Sequence, residues 1–236
     1  RQVGLMAVAG VFLALHFLLW MTSLEYTSVT SSVVLVTTQP LFVCILSALI
    51  LKETPPRQVW YGLALAIGGS MVIALGQGGG GESRLLGNMM ALGGAVMAAC
   101  YFLVGRVVRR DVSLATYSAV VYGFSAVVLW FFVFMQSLPL TGYPRSTWWS
   151  LFLLAVFPTV IGHTALNWAL KYLPTPVVSV SILGEPLGAS VLAYFILKEI
   201  PTWGEIAGGI LILAGIFLVW WVNAHIHDSD NCVNTN

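Results

Sequence analysis

The chain has 236 residues, of which 58% are hydrophobic and only 8% are charged, and its formal net charge is +1. An ordinary soluble domain is about a quarter charged, because it needs polar surface to cover its core. This composition excludes a water-soluble enzyme and a disordered chain, and the near-neutral charge argues against a nucleic-acid partner. What remains is a polytopic membrane protein.

Long apolar runs predict the number of membrane crossings. A helix needs roughly 20 mostly apolar residues to cross the hydrocarbon core, which is about 30 Å thick. Eight runs meet this condition, near residues 4–22, 32–51, 59–75, 86–108, 115–135, 148–170, 177–197 and 204–222. They are too long for strands and show no strict alternation. The sequence therefore predicts an all-α fold with eight transmembrane helices and short loops.

Basic residues predict the orientation of these spans. When alternate loops are assigned to two sides, one side carries three basic residues, Arg84, Arg145 and Lys198. The other side carries seven, namely Arg1, Lys52, Arg57, Arg106, Arg109, Arg110 and Lys171. Loops rich in Lys and Arg face the cytoplasm, so the second side and the C-terminus are predicted to be cytoplasmic.

An internal repeat relates the two halves of the chain. A shift of 146 residues, without a gap, makes fourteen of the 46 positions from residue 24 to residue 69 identical to their partners. It pairs Pro40 with Pro186, Tyr26 with Tyr172, Lys52-Glu53 with Lys198-Glu199, Pro55 with Pro201, Gly62 with Gly208 and Gly69 with Gly215. Shared hydrophobicity would not align Pro, Gly and a Lys-Glu pair in order, so the pattern indicates a structural duplication.

The repeat also predicts helices upstream of Arg1. The fourth and fifth spans, which begin near residue 86, have no partner in the first half. We therefore expect roughly 60 further residues, about two helices, before the first residue given. Two five-helix units would be inverted relative to each other, because an odd number of crossings turns the second unit over. Inverted repeats are typical of secondary transporters, whose substrate site lies between the repeats.

These landmarks carry a family resemblance. The segments SLEYTSVTSSVVLVTTQPLFVCILSALILKE and GLALAIGGSMVIALG resemble the second half of an EamA domain. The segments GHTALNWALKYLPTPVVSVSILGEPLGASVLAYFILKE and GGILILAGIFLVW resemble the same half of another. The chain is thus similar to EamA-type members of the drug/metabolite transporter superfamily. The resemblance implies a ten-helix fold of two inverted five-helix repeats with a central cavity for small organic solutes, in cytoplasmic-membrane transporters that often export amino acids and other metabolites.

The resemblance divides the chain into four parts. Residues 1–76 correspond to the last three helices of the first EamA repeat, and residues 77–85 form a Gly-rich linker. Residues 86–223 form the second repeat with all five helices, and residues 224–236 form a polar cytoplasmic tail.

One carboxylate lies deep within a predicted span. Glu185 is in the seventh span, and an ionisable group in hydrocarbon usually lines a cavity or serves function because its insertion is costly. We expect Glu185 to couple protons or to contact a substrate amine; the alternative is a buried acid that fixes helix packing. Ser181 lies one turn before it on the same face. The partner of Glu185 in the repeat is Gln39, which keeps the hydrogen-bonding capacity without the charge.

Polar stripes lie on two other spans. In the sixth span, Thr159, His163 and Asn167 are spaced by four residues and share one helix face. Histidine titrates near neutral pH, so His163 is either a proton site or a side chain fixed by an interhelical hydrogen bond. In the first span, His16 and Trp20 form a similar face with Ser23.

Aromatic residues supply further candidates. Trp20 and Trp168 either stack on an organic substrate or pack against neighbouring helices. Weaker candidates lie on the fourth and fifth spans, where packing is the simpler interpretation, and they are Tyr101, Ser118, Tyr122 and Ser125.

Two equivalent prolines predict hinges. Pro40 and Pro186 lack an amide hydrogen, so they free the carbonyls of Val36 and Ile182 and weaken the helix there. In lipid a free carbonyl must find a partner or face a cavity. Equivalent breaks in two repeats therefore point to a transport site. Pro158 breaks the sixth span without an equivalent in the first repeat.

Other polar features have simpler interpretations. The two Lys-Glu pairs end spans and are interpreted as interface anchors, and Cys44 and Cys100 as small apolar residues. The tail contains His and Cys, but no ligand spacing, so no metal site is predicted. The Gly-rich run after residue 76 lacks the Lys of a phosphate-binding loop. We expect no cofactor.

The sequence as a whole predicts a secondary transporter rather than an enzyme. It would move a small organic metabolite or drug, with an amino-acid-like solute favoured, by alternating access, as an exporter that exchanges its substrate for protons. The expected partners are the small-molecule substrate and the lipid bilayer, with no nucleic acid, and a homodimer stays open. The alternatives are an intramembrane enzyme using His16, His163 and Glu185, and a structural or regulatory membrane protein without a substrate.

Overall fold

The computed structural model describes residues 1–27, 29–53, 55–76, 84–185 and 203–233, together with Gly188, Val191, Phe195 and Lys198. All regular structure in these residues is helical, and none of them lies in a strand. Five helical stretches are long and apolar enough to cross a membrane, and they are Gln2–Tyr26, Ser32–Leu51, Leu85–Val108, Leu114–Met135 and Arg145–Ala169. The predicted all-α membrane fold is confirmed.

Ten α-helices follow one another along the described chain. They are α1 (Gln2–Tyr26), α2 (Val29–Val36), α3 (Gln39–Leu46), α4 (Arg57–Gly76), α5 (Arg84–Val108), α6 (Leu114–Met135), α7 (Arg145–Leu154), α8 (Thr164–Ala169), α9 (Thr175–Val180) and α10 (Trp203–Val233). A π-helical segment extends α3 over Ser47–Leu51, and a second, Ala155–His163, joins α7 to α8. A 3₁₀ turn, Ser181–Gly184, follows α9. Each predicted span thus overlaps at least one helix.

The second span is interrupted two residues before Pro40. The α-helical pattern stops after Val36, and Pro40 occupies the first turn of α3, where its missing N–H costs no helical hydrogen bond. The hydroxyls of Thr37 and Thr38 donate to the carbonyls one turn earlier, at 2.9 and 2.6 Å. Side-chain bonds of this kind stabilise the interruption inside an apolar span.

The sixth span changes its helical pitch at Pro158. This proline has no N–H to donate to the carbonyl of Leu154, four residues earlier. The hydroxyl of Thr159 donates to that carbonyl instead, at 3.3 Å, and the backbone widens into the π-helical segment. The span therefore stays continuous to Ala169.

Two packed regions make up the core. In the first, α1 packs against α5 and α6, and α3 packs against α5. Its largest fully buried side chains include Leu13, Tyr101 and Tyr117. In the second, α4 packs against α10, and residues such as Leu63 and Ile212 are fully buried between them. The second region joins the two repeats.

Glycines at the α4–α10 contact show how the repeats are related. A methyl group added to Gly62 would lie 2.7 Å from the carbonyl oxygen of Gly215, and one added to Gly69 would lie 2.5 Å from that of Gly208. The repeat, however, pairs Gly62 with Gly208 and Gly69 with Gly215. The contacts are therefore crossed and the helices antiparallel, as a two-fold axis between self-complementary surfaces requires. This agrees with inverted repeats.

Candidate functional site

His16 lies inside the helical bundle, with 6% of its surface exposed. Its ring nitrogen Nδ1 is 3.0 Å from the carbonyl oxygen of Gly94 on α5. A carbonyl oxygen can only accept, so Nδ1 carries the hydrogen and, in a neutral ring, Nε2 is an acceptor. A methyl group added to Gly94 would lie 3.4 Å from the His16 carbonyl oxygen, so α1 and α5 are in van der Waals contact at this point. The backbone of α5 thus fixes the ring of His16.

Aromatic rings surround His16 and His163. The His163 ring centroid lies 5.4 Å from Phe17, 5.9 Å from Tyr101 and 6.4 Å from His16. The Trp20 ring stacks on His16 with centroids 5.7 Å apart. We call these five residues, from α1, α5 and the second π-helical segment, the histidine cluster.

Two nitrogens of the histidine cluster are buried without a hydrogen-bond partner. They are Nε1 of Trp20 and Nδ1 of His163, for which no partner lies in the described part of the chain. Buried polar atoms are paired in the great majority of cases, and an unpaired one costs about 1–3 kcal/mol. The indole nitrogen can only donate. The cluster therefore offers a free donor beside apolar ring faces.

A hydrogen-bonded chain adjoins the cluster. The Tyr101 hydroxyl donates to Oδ1 of Asn167 at 2.7 Å, and Nδ2 of Asn167 donates to the Tyr122 hydroxyl at 3.3 Å. Tyr122 and Thr164 hydroxyls lie 3.0 Å apart. Asn167 is fully buried, so this chain locks α8 to α5 and α6 and holds the Tyr101 ring against His163.

The structure brings five of the nine predicted substrate or proton residues into one region. They are His16, Trp20, Tyr101, His163 and Asn167. No side-chain hydrogen bond or ring contact among the described residues joins the remaining four to this region. Trp168 is 53% exposed, and its ring centroid lies 5.1 Å from that of Tyr172. The Ser181 hydroxyl donates to the carbonyl oxygen of Val177, one turn earlier in α9.

Gln39 and Glu185, the equivalent pair of the two repeats, lie in different environments. Gln39 is 4% exposed, and its Nε2 has no partner among the described residues. Glu185 is exposed, and the described residues give it no hydrogen bond or ion pair. Their functional roles stay predictions. Pro40 begins α3, whereas Pro186 lies outside the described residues.

Sequence reasoning missed two contributions to this region. Phe17 is adjacent to His16, and its aromatic character alone did not distinguish it from packing residues in an apolar span. Thr164 follows His163 directly, and its bond to Tyr122 depends on how α6 and α8 meet. Among the described residues, no group of three or more His, Cys, Asp or Glu side chains could hold a metal ion.

Charged groups gather at one end of the bundle. Glu53 accepts a hydrogen bond from Arg106 at 3.0 Å, although its Lys-Glu pair was interpreted only as an interface anchor. Arg109 is 2% exposed, and its Nε donates to the carbonyl oxygen of Asn167 at 3.0 Å. Burial lowers the pKa of the Arg109 guanidinium from its ordinary value, but arginine keeps its charge in proteins. Three loops that the alternation of spans assigned to one side thus meet there.

Comparison with known proteins identifies the family. The model of the EamA-like transporter family matches residues 1–75 and 85–221. The chain belongs to the EamA-like transporter family. The resemblance stated above is thereby confirmed, and this EamA-like chain is a multi-pass membrane protein of a transporter family.

Relatives of this EamA-like chain are found in bacteria and archaea. The uncharacterized transporter YetK of Bacillus subtilis is 29% identical over 215 residues, which cover 89% of this chain and 64% of YetK. An uncharacterized transporter of Archaeoglobus fulgidus is 26% identical over 224 residues, covering 92% of this chain and 75% of that protein. The chain therefore spans just under two thirds of the length of YetK.

A solved structure has the same fold. One protein crystal structure matches with a TM-score of 0.78 and 17% identity, over 93% of this chain and 78% of that one. At this identity the likeness concerns the fold alone.

Proposed function

We propose that this protein is a secondary transporter that exports a small organic solute, with an amino-acid-like molecule favoured, across the cytoplasmic membrane by alternating access. It acts as a carrier and not as an enzyme, and its C-terminus lies in the cytoplasm, where the excess of basic residues also lies. Family membership and the crossed glycine contacts between the repeats support this proposal.

The histidine cluster is the observation that carries the proposal. An organic solute needs apolar surface for its body and a few polar groups that fix its orientation. Phe17, Trp20 and Tyr101 supply ring faces. The free Trp20 Nε1 can donate to a carboxylate oxygen of the solute, and His163 Nδ1 can pair with a second polar group.

Proton exchange is the proposed driving force. His163 carries a free ring nitrogen, and Glu185 carries an exposed carboxyl group. Either group can take up a proton when the site opens to one side and release it on the other. No hydrogen bond, ion pair or ring contact among the described residues joins the two groups, so their contributions can be separated by mutation.

A ligand screen followed by flux measurements tests the proposal. Binding stabilises the folded state, so amino acids and related metabolites are screened for those that raise the Tm of the purified protein. The best ligand is then followed in vesicles of the full-length protein under an imposed pH gradient. We expect His163→Gln or Glu185→Gln to abolish the dependence of flux on the pH gradient, and Gln136→Glu in an exposed turn to leave it unchanged.

Two results would contradict the proposal in different places. If flux in both variants follows the pH gradient as in the parent, protons do not couple through these groups. If Trp20→Phe leaves the ligand-induced rise in Tm unaltered, the solute does not bind at the histidine cluster.

A further inference from the structure

The carboxylate of Glu53 holds together four groups at one end of the bundle. Its Oε1 accepts from Nε of Arg106 at 3.0 Å and lies 3.6 Å from a guanidinium nitrogen of Arg110. Its Oε2 accepts from the backbone N–H and the hydroxyl of Thr175, at 3.4 and 3.3 Å. The Glu53 and Arg106 side chains are 20% and 15% exposed, so both are partly shielded from water.

These partners all belong to the other repeat. Glu53 follows the second span of the chain, in the first repeat. Arg106 lies in the last turn of α5, Arg110 lies in the turn after it, and Thr175 begins α9. Arg106 also donates to the carbonyl oxygen of Leu170 at 2.8 Å, just after α8. One side chain of the first repeat is thus bonded to two regions of the second, the end of α5 and the start of α9, and its partner Arg106 extends the network to the end of α8.

We propose that Glu53 is a latch that holds one face of the transporter closed. This is the side that carries Lys52, Arg106 and Lys171, and we call it the Lys52 face. This inference rests on the proposed function, because alternating access requires each face to open between the repeats in turn. The bonds from Glu53 to Arg106 and Thr175 cross that boundary, so the Lys52 face cannot open while they are intact.

The backbone around Lys52 and Glu53 positions the Glu53 carboxylate for these bonds. The first π-helical segment ends at Leu51 and is followed by Lys52, whose φ of 57° is left-handed. The Glu53 N–H then donates to the carbonyl oxygen of Ser47 at 3.2 Å. This reversal turns Glu53 away from its own helix toward α5 and α9. Lys198, the equivalent of Lys52, has a φ of 61°. The residue before the acid thus has a left-handed φ in both repeats.

The native cysteine Cys44 provides a reporter that needs no substrate. It lies on α3, is fully buried, and packs with Val177 and Val180 of α9 and with Leu63 of α4. Separation of α3 from α9 at the Lys52 face would expose it. In a Cys100→Ala, Cys232→Ser background Cys44 is the only thiol of these 236 residues. Its labelling by a membrane-impermeant maleimide is timed in inside-out vesicles.

We expect Glu53→Gln to speed Cys44 labelling by about tenfold, since loss of hydrogen bonds to a charged group shifts an equilibrium by about that factor. Glu53→Asp keeps the charge but is one methylene too short to reach both Arg106 and Thr175, so it should give a smaller increase. Glu25→Gln removes an exposed acid at the far end of α1 and should change nothing. Raising the salt to about 1 M, which shortens the screening length to about 3 Å, should speed labelling of the parent.

The latch is refuted if Cys44 in Glu53→Gln and Glu53→Asp is labelled at a rate within twofold of the parent's. If these variants do not fold, the latch is refuted when the labelling rate of the parent does not depend on salt. Glu53 is then a static anchor. Faster labelling together with absent solute flux would retain the latch and reject the proposed function. An unchanged labelling rate together with intact, pH-driven flux would reject the latch and retain the proposed function.

Discussion

The α4–α10 contact and the histidine cluster differ in how completely their atoms are matched. Between α4 and α10, glycine backbones meet so closely that an added methyl group would overlap a carbonyl oxygen. In the histidine cluster, ring centroids lie 5.4–6.4 Å apart, and two buried nitrogens have no hydrogen-bond partner in the described chain. Close packing of backbones suits a fixed joint between the repeats, whereas buried polar atoms without a hydrogen-bond partner suit a place that a ligand completes.

The largest expected change in unfolding free energy is at the close contact between α4 and α10. Gly69→Ala should lower the free energy of unfolding by about 3 kcal/mol, because the new methyl would lie 2.5 Å from the carbonyl oxygen of Gly208 and the helices must separate. Gly68→Ala is the matched control, since a methyl there meets nothing within 4 Å. Thermal unfolding in detergent measures both. Equal effects of the two variants would mean that α4 and α10 are not in close contact.

A smaller loss is expected at the edge of the histidine cluster. Asn167→Leu leaves the Tyr101 hydroxyl without its acceptor and Tyr122 without its donor, which should cost about 2 kcal/mol of unfolding free energy. Trp168→Leu, on the exposed side of the same helix, serves as the control and should cost less. An Asn167→Leu variant as stable as the parent would show that the chain of bonds does not hold α8.

The smallest expected effect is at Trp20, where a substitution should not lower the unfolding free energy. Trp20→Phe removes a buried donor that has no hydrogen-bond partner among the described residues, so the unfolding free energy should stay constant or rise by about 1 kcal/mol. Ligand binding should weaken in the same variant. Trp130→Phe, at an exposed tryptophan of α6, should alter neither property. A clear loss of stability in Trp20→Phe would indicate that the indole contributes through packing and that the two regions are less different than the geometry implies.

Much of the fold was predictable because membrane crossings have a simple physical requirement. The apolar runs, the break near Pro40 and the change of pitch at Pro158 follow from hydrocarbon thickness and from the missing proline N–H. The repeat paired Gly62 with Gly208 in order. It did not reveal that Gly62 instead touches Gly215, because that contact depends on the inverted packing of α4 and α10.

The candidate site was predictable only in part. His16, His163 and Asn167 stand out in apolar spans, because burying a polar group in hydrocarbon is costly and such groups usually serve function. Residue type did not show that Trp168 lies outside this group, since stacking and lipid-facing tryptophans look alike in sequence. The partners of Glu53 were equally hidden. Arg106 and Thr175 lie 53 and 122 residues away along the chain.

The sequence by itself determined that this chain crosses a membrane as helices, that it is duplicated, and that it belongs with the EamA-like transporters. These properties follow from local composition and from order along the chain. Only the tertiary structure decided which polar side chains meet, and which polar atoms are left unpaired. The physical reason is that hydrogen bonds and ring contacts act over a few ångströms, and helix packing alone brings distant residues within that range.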